Sequence, residues 1–167
     1  MGDPPDDVHL ETLGPLTESQ VAAVTALVDE ATDCDGVRPL SEHVMLHLRY
    51  GGDQSARNIV IWQGTPARLV AYAHLDVTDP IEGPSAEMVV APDVRRHGHG
   101  RALIDVMLAQ TGGRLRLWAH GDRPEASLMA AHLGFLRTRV LWQMRRSLSA
   151  ALPRIVAAAQ PDAQTIA

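Results

Sequence analysis

Residues 89–103, Val-Val-Ala-Pro-Asp-Val-Arg-Arg-His-Gly-His-Gly-Arg-Ala-Leu, constrain the fold more than any other stretch of the chain. They run from an apolar strand through a turn punctuated by Gly98 and Gly100 into a helix. Glycine has no Cβ, so such a turn takes up dihedrals closed to other residues and lets a ligand come up to the backbone. The first-turn N–H groups of the helix lack partners within it and carry the positive end of its dipole. With Arg95, Arg96 and Arg101 beside them, they form a cradle suited to a pyrophosphate.

The spacing separates this cradle from better-known ones. A Walker loop ends in Gly-Lys-Ser/Thr, and the chain contains no lysine. A dinucleotide fingerprint needs three glycines and an acidic residue about 20 positions on; Asp122 falls near that distance, but within a His-Gly-Asp-Arg-Pro turn. His97 and His99 raise the thought of a metal, yet with one cysteine and no carboxylate at ligand spacing no metal site is expected. The pattern that does match is Arg-x-x-Gly-x-Gly preceded by Val-x-Pro, which resembles the acetyl-coenzyme A signature of the GCN5-related N-acetyltransferases (GNATs). A second stretch, residues 126–135 (Ala-Ser-Leu-Met-Ala-Ala-His-Leu-Gly-Phe), resembles the last helix of the same superfamily, which ends at Leu-Gly-Phe before a final long strand. The competing reading of the first motif is an ordinary β-turn-α junction with surface arginines.

A chain of 167 residues with 46% hydrophobic content suits one domain with a real core. That domain is expected over residues 1–148, with 149–167 as an Ala- and Pro-containing tail or linker broken by Pro153 and Pro161. A net charge of −5 argues against a nucleic-acid partner, which would need a basic face. The single cysteine excludes an internal disulfide, and no apolar run approaches the roughly 18 residues needed to span a bilayer. The acidic, proline-bearing first seven residues do not read as a signal peptide, so a cytoplasmic protein with no membrane partner is expected.

Residues 8–13 read as a strand. Thr17-Glu18-Ser19-Gln20 is a capping box that opens a helix with Val21, Val24, Leu27, Val28 and Ala31 on its apolar face, ended by Asp33-Cys34-Asp35-Gly36. A second helix starts at Ser41 and stops at Gly51-Gly52. Residues 58–62 and 69–76 form an antiparallel hairpin and 86–90 a further strand. The cradle helix runs from Gly98 to Gln110, a fifth strand covers 114–119, and a helix over 124–132 ends before Gly134. Strict alternation over 137–145 gives a last strand with Leu136, Thr138, Val140, Trp142 and Met144 on a core-facing side. The resemblance covers about residues 8–148. It implies an α/β (α+β) fold with a mixed central sheet of about six strands and helices on both faces. In that fold the strand before the cradle splays from the next one, and the acyl end of the cofactor lies in the gap.

Residues 86–90, 95–100, 117–121 and 141–146, with Asp35-Gly36-Val37-Arg38-Pro39, further resemble the N-terminal half of the mycothiol synthase family. Its members carry two tandem acetyltransferase domains and acetylate the cysteinyl amine of a cysteine–glucosamine–inositol conjugate. The resemblance implies acetyl-CoA or CoA as cofactor, held by the strand backbone of Met88, Val89 and Val90 and by Arg95, Arg96, His97, Gly98, His99, Gly100 and Arg101 of the cradle. It places a conjugate contact on Glu42. It also implies a small-molecule amine as acceptor, with a second GNAT domain or a homodimer as protein partner. Ala130 stands where catalytic members commonly carry a tyrosine, and a methyl group cannot protonate a leaving thiolate. Two functions therefore stay open: an acetyl-CoA-dependent N-acetyltransferase of the mycothiol-synthase type, and a non-catalytic acetyl-CoA-binding module that supports a partner domain.

The sequence assigns no catalytic residue. The candidates for a base are Glu87, beside the cofactor strand but out of step with Met88 and Val90, and His120, at the end of the fifth strand where ligands bind in such sheets. Each has a structural alternative, a partly exposed strand carboxylate and an ordinary hydrogen-bonded histidine. Glu42 is equally explained as a carboxylate favouring a helix start. Cys34 has no histidine nearby in sequence and is not expected to be a nucleophile. Trp62, Trp118 and Trp142 are expected in the core or in a pocket wall.

Overall fold

A computed structural model describes residues 7–52 and 55–142. The chain divides into two compact units, Met1–Gly134 and Phe135–Ala167. The first contains β1 (Val8–Leu13), α1 (Glu18–Asp35), α2 (Glu42–Tyr50), β2 (Arg57–Gln63), β3 (Arg68–Asp76), β4 (Ser85–Val90), a short 3-10 turn (Pro92–Val94), α3 (His99–Gln110), β5 (Arg116–Leu117) and α4 (Pro124–His132). The strands form one sheet in the order β1-β2-β3-β4-β5, antiparallel except for the parallel pair β4 and β5.

Local signals account for most element boundaries. Thr17 accepts the Gln20 N–H, while the Gln20 side chain accepts the Thr17 N–H at 2.9 Å, a reciprocal cap that fixes the start of α1. Gly36 ends that helix in the left-handed conformation, with φ of 70°. Ser41 caps α2 by accepting the Val44 N–H at 3.3 Å.

The central strand β3 is buried without interruption over residues 69–75, as expected of a strand covered on both faces. On one face α1 and α2 bury Val24, Leu27, Val28, Val44, Met45 and Leu48 against Val60, Tyr72 and Val89. On the other, α3 packs its row of Leu103, Ile104 and Met107 against β2, β3 and β4, where Ile59 and Ile61 pair with the small Ala73 and Ala71. The α1/α2 face turns polar toward one end. Tyr72 donates its hydroxyl to Asn58 Oδ1 at 2.7 Å, Asn58 donates to the Gly14 carbonyl at 2.6 Å, and His74 Nδ1 lies 3.4 Å from the same hydroxyl. Burial pushes the Tyr72 phenol far above its ordinary value, so it remains a donor.

The sheet has five strands among the described residues, against the six expected. The fifth strand shrinks from 114–119 to Arg116–Leu117. The last strand does not form over residues 137–142, and residues 143–145 and the expected tail lie outside the described residues. Alternation sets which side a strand would bury, but a strand also needs a backbone ladder, and none forms over residues 137–142. The side expected to face the core is open, with Leu136 86% and Trp142 85% exposed.

Met107 has no exposed surface, so Met107→Ala should cost about 2–5 kcal/mol of stability. Leu46→Ala, on the outer side of α2, should stay within about 0.5 kcal/mol of wild type in the same urea titration.

Candidate functional site

The β4–β5 ladder covers two residue pairs, Ser85 with Arg116 and Ala86 with Leu117. Its last bond is Trp118 N–H to the Ala86 carbonyl at 3.0 Å. Backbone groups alternate sides along a strand, and Ala91 N–H turns toward β3, bonding the Val70 carbonyl at 2.8 Å. By that alternation Met88 and Val90, in step with Ala86, direct their N–H and C=O groups to the β5 side, where pairing has stopped. The strands part just where a ligand could take up the free donors of β4.

Beyond β4 the chain passes through the 3-10 turn to the cradle. Arg96 holds a left-handed backbone with φ of 70°, costly for a residue with a side chain. Gly98, with φ of 92°, is the N-cap of α3 and offers no side-chain cap, so the N–H groups of His99, Gly100 and Arg101 are left to an outside acceptor. A Cβ on Gly98 would enter open space, which leaves that side clear for an approaching group. A Cβ on Gly100 would lie 3.4 Å from Met129 Sδ and 3.8 Å from both Met88 and Val90, so the cradle sits directly over the gap strand, beside α4.

The three cradle arginines have different tasks. Arg95 binds Asp35 through both terminal nitrogens at 2.8 Å and donates its Nε to the Val90 carbonyl at 3.2 Å. Arg123, the N-cap residue of α4, reaches the same carboxylate at 3.2 Å. Asp35 thus ties the end of α1, the cradle and the start of α4 together, and the hydrogen bonds from Arg95 hold its carboxyl below the usual carboxylate range despite burial. Arg101 pairs with Asp105 one turn on, along the exposed side of α3. Arg96 and His97 are exposed, whereas His99 is buried with its Nε2 unpartnered, and burial, with His97, lowers its pKa.

Glu87 faces the opposite side of the sheet from Met88, as its step in the strand requires, and is buried rather than partly exposed. Its Oε2 accepts the Ser41 N–H at 2.5 Å and lies 3.3 Å from His120 Nε2. Burial alone would raise the Glu87 carboxyl; the His120 contact and the Ser41 N–H more than reverse this and leave it below its ordinary value. The structure therefore brings both candidate bases into one contact. Glu42 is exposed in the first turn of α2, one residue past Ser41. Cys34 is exposed beside Asp35. Trp62 is half-buried and donates to Glu11 at 3.1 Å, and Trp118 lines a cavity next to Glu87, but Trp142 is exposed and belongs to neither core nor pocket wall. Among the described residues no three metal-ligating side chains converge. No local signal marks Asp35 as a clamp or sets Asp76 and His74 beside Glu87, because the partners lie on other elements of the fold.

Free strand donors at residues 88 and 90, an uncapped helix start and an unobstructed glycine fit a long ligand with a phosphate group at one end and a carbonyl at the other. The fold is that of the GCN5-related N-acetyltransferases. A GNAT-family acetyltransferase from Staphylococcus aureus superposes with a TM-score of 0.62 at 11% identity, over 78% of this chain and 87% of that one. A predicted acetyltransferase from Clostridium acetobutylicum, solved with acetyl-CoA, gives 0.59 at 12% identity, over 83% and 96%. In sequence the chain resembles the mycothiol acetyltransferases. It is 57% identical to that of Acidothermus cellulolyticus over 152 residues, which is 90% of this chain and 46% of the relative. It is 55% identical to that of Streptosporangium roseum over 147 residues, 88% and 43%. The chain thus spans about half the length of the curated relatives it matches. No family model matches it.

Asp35→Asn should destabilise the protein at neutral pH by about 1–3 kcal/mol, since Arg95 and Arg123 lose a shared anion. The folded pKa of Asp35 lies below the unfolded one, so its contribution is complete above the unfolded value and is lost as pH falls through the folded value. Urea midpoints of wild type and variant should therefore differ at pH 7 and converge toward pH 3.

Proposed function

We propose that this chain is an acetyl-CoA-binding domain, spanning residues 1–148, of an N-acetyltransferase of the mycothiol acetyltransferase type. The observation that carries this reading is the parting of β4 from β5 immediately beside the cradle. One strand thereby offers N–H groups to a thioester carbonyl while the adjoining helix start offers them to a pyrophosphate. Met88 and Val90 would hold the acyl end, with Val90 N–H polarising the carbonyl. Residues 95–101 would receive the phosphates through backbone N–H groups, with Arg96 and Arg101 adding charge and Arg95 acting through the loop it braces. Bound there, the cofactor supplies an activated acetyl group. The acceptor is a small-molecule amine such as a cysteinyl conjugate, the compartment the cytoplasm, and the partner a second domain of the same kind or a second copy. The similarity to relatives of twice the length supports such a partner.

Calorimetry tests the binding reading. CoA and acetyl-CoA should bind at micromolar concentrations. Gly98→Val should weaken binding by about tenfold or more, because the backbone conformation there suits glycine. Arg114→Ala, outside the cradle, should leave it unchanged. A silent titration up to high micromolar cofactor would remove the reading.

Ala130 favours a chain that binds the cofactor but transfers slowly by itself. Losing a general acid typically costs about 10²–10⁴-fold in rate, so acetyl transfer by this chain alone should fall well below the roughly 1 s⁻¹ of ordinary enzymes. Turnover at or above that rate with the cysteinyl–glucosaminyl–inositol acceptor, read as N-acetyl product, would show that another group replaces the acid.

A further inference from the structure

On the α1/α2 face a cavity of about 180 Å³ opens beside the last paired residues of β4 and β5. Its walls include Ser41, His43, His74, Asp76, Glu87 and Trp118. Two carboxylates face this space with no arginine among its walls. Asp76 accepts the N–H and hydroxyl of Thr78 at 2.8 and 2.7 Å, both through Oδ1. Asp76 thus keeps Oδ2 clear of its Thr78 contacts. Glu87 meets the Ser41 N–H and His120 through Oε2, and the Ser41 hydroxyl is a further partner. His74 does not cancel the negative charge, since burial and the neighbouring His47 lower its pKa to about 4. It is 4% exposed, and its Nε2 has no hydrogen-bond partner among the described residues, as is true of few buried polar atoms. The described residues do not bring a third ligand to the two carboxylates in the manner of a metal site. Trp118 adds an aromatic side chain to the wall.

We propose that this cavity binds the primary ammonium group of the acceptor, with Glu87 and Asp76 as its counter-ions and with Ser41 N–H and His120 as positioning partners that hold Glu87 toward it. The assignment rests on the acetyltransferase reading above and names the residues that recognise the acceptor. The geometry explains why the cavity lies where it does. Pairing of β4 with β5 ends at Ala86, and Glu87 is the next residue, so a group seated beside Glu87 stands at the closed end of the gap whose other side is edged by Met88 and Val90. The N–H of Ser41 belongs to the cap of α2, so the positive end of that helix also holds Glu87 in its charged form.

The test is binding of S-methyl-L-cysteinamide to the CoA-saturated protein, followed by amide and indole shifts in NMR, with its N-acetylated derivative as the uncharged control. Saturable shifts should centre on Ser41, Glu87 and Trp118, and the control should bind at least about tenfold more weakly. Glu87→Gln and Asp76→Asn, which keep shape and remove charge, should each weaken the amine by about tenfold or more and erase the preference over the control. His120→Asn should weaken it less, while CoA affinity stays constant in all three. Equal binding of amine and control, shifts centred elsewhere, or affinity indifferent to Glu87→Gln and Asp76→Asn would overturn the assignment while leaving the CoA site intact. Loss of CoA binding by the wild type would instead strike the underlying reading. Should Glu87→Gln fail to fold, Asp76→Asn at the strand end decides the matter alone.

Discussion

A parallel ladder that lets go after two residue pairs is the constraint on which the rest of the site depends. β4 is satisfied along β3 over its whole length but along β5 only as far as Ala86. A buried strand cannot leave its N–H groups unpaired without cost, so an interrupted ladder marks a place where something other than protein completes the pairing. The interruption is held open by what stands on either side. Arg95 occupies the Val90 carbonyl, and Glu87 anchors the other face to Ser41 and His120. β5 itself is short and leads at once to His120 and Gly121, where any Cβ would collide with Val37 at 2.6 Å. That close approach brings the loop after β5 against the connection between α1 and α2, while His120 of the same loop reaches Glu87.

The cradle shows how charge near a ligand site divides between support and recognition. Three arginines in seven residues suggest three cations for a phosphate. The nearest to the strand is instead a structural brace, held in a two-pronged contact by a carboxylate whose side chain is 8% exposed. A cation so paired keeps a strained loop in one shape, and Arg96 with its left-handed backbone needs such support. Pre-forming the loop lowers the ordering cost that a flexible anion site would meet when it binds. Backbone N–H groups, fixed in direction by α3, are then the donors that the proposed anion site would chiefly use.

Much of this was readable from the chain because the signals are local. The capping box at Thr17, the cap at Ser41, the glycines at 36, 51 and 98 and the apolar rows of α1 and α3 each act within a few residues, and the elements they predict begin and end where expected. The step of two along β4 likewise foretold that Glu87 would face away from Met88. What could not be read depends on partners far apart. Nothing near Asp35 announces Arg95, sixty positions on, and nothing near Glu87 announces that His120 and the cap of α2 converge on it. Residues 137–142 show the converse failure. Their alternation is a local signal as clear as any, but a strand is settled by a backbone ladder, and none forms over them.

The sheet also separates two opposite electrostatic demands. On the proposed reading a chain with net charge −5 must admit an anionic cofactor, and the α3 face offers the place for it, where helix dipole, Arg96 and Arg101 create a local positive field. Glu87 and Asp76 are set on the other face, with the sheet between them and the cradle. Placed on one face, carboxylates and phosphates would repel through a low-dielectric interior. Placed on two, they attract a cation and an anion from opposite sides. The gap that the broken ladder leaves lies between the two, so in the proposed arrangement an amine at Glu87 and a thioester carbonyl at Val90 N–H would meet across it. Position alone can account for a large part of such a reaction. On that reading, transfer by a chain that has Ala130 in place of an acid would be limited by departure of the thiolate rather than by the meeting of the two reactants.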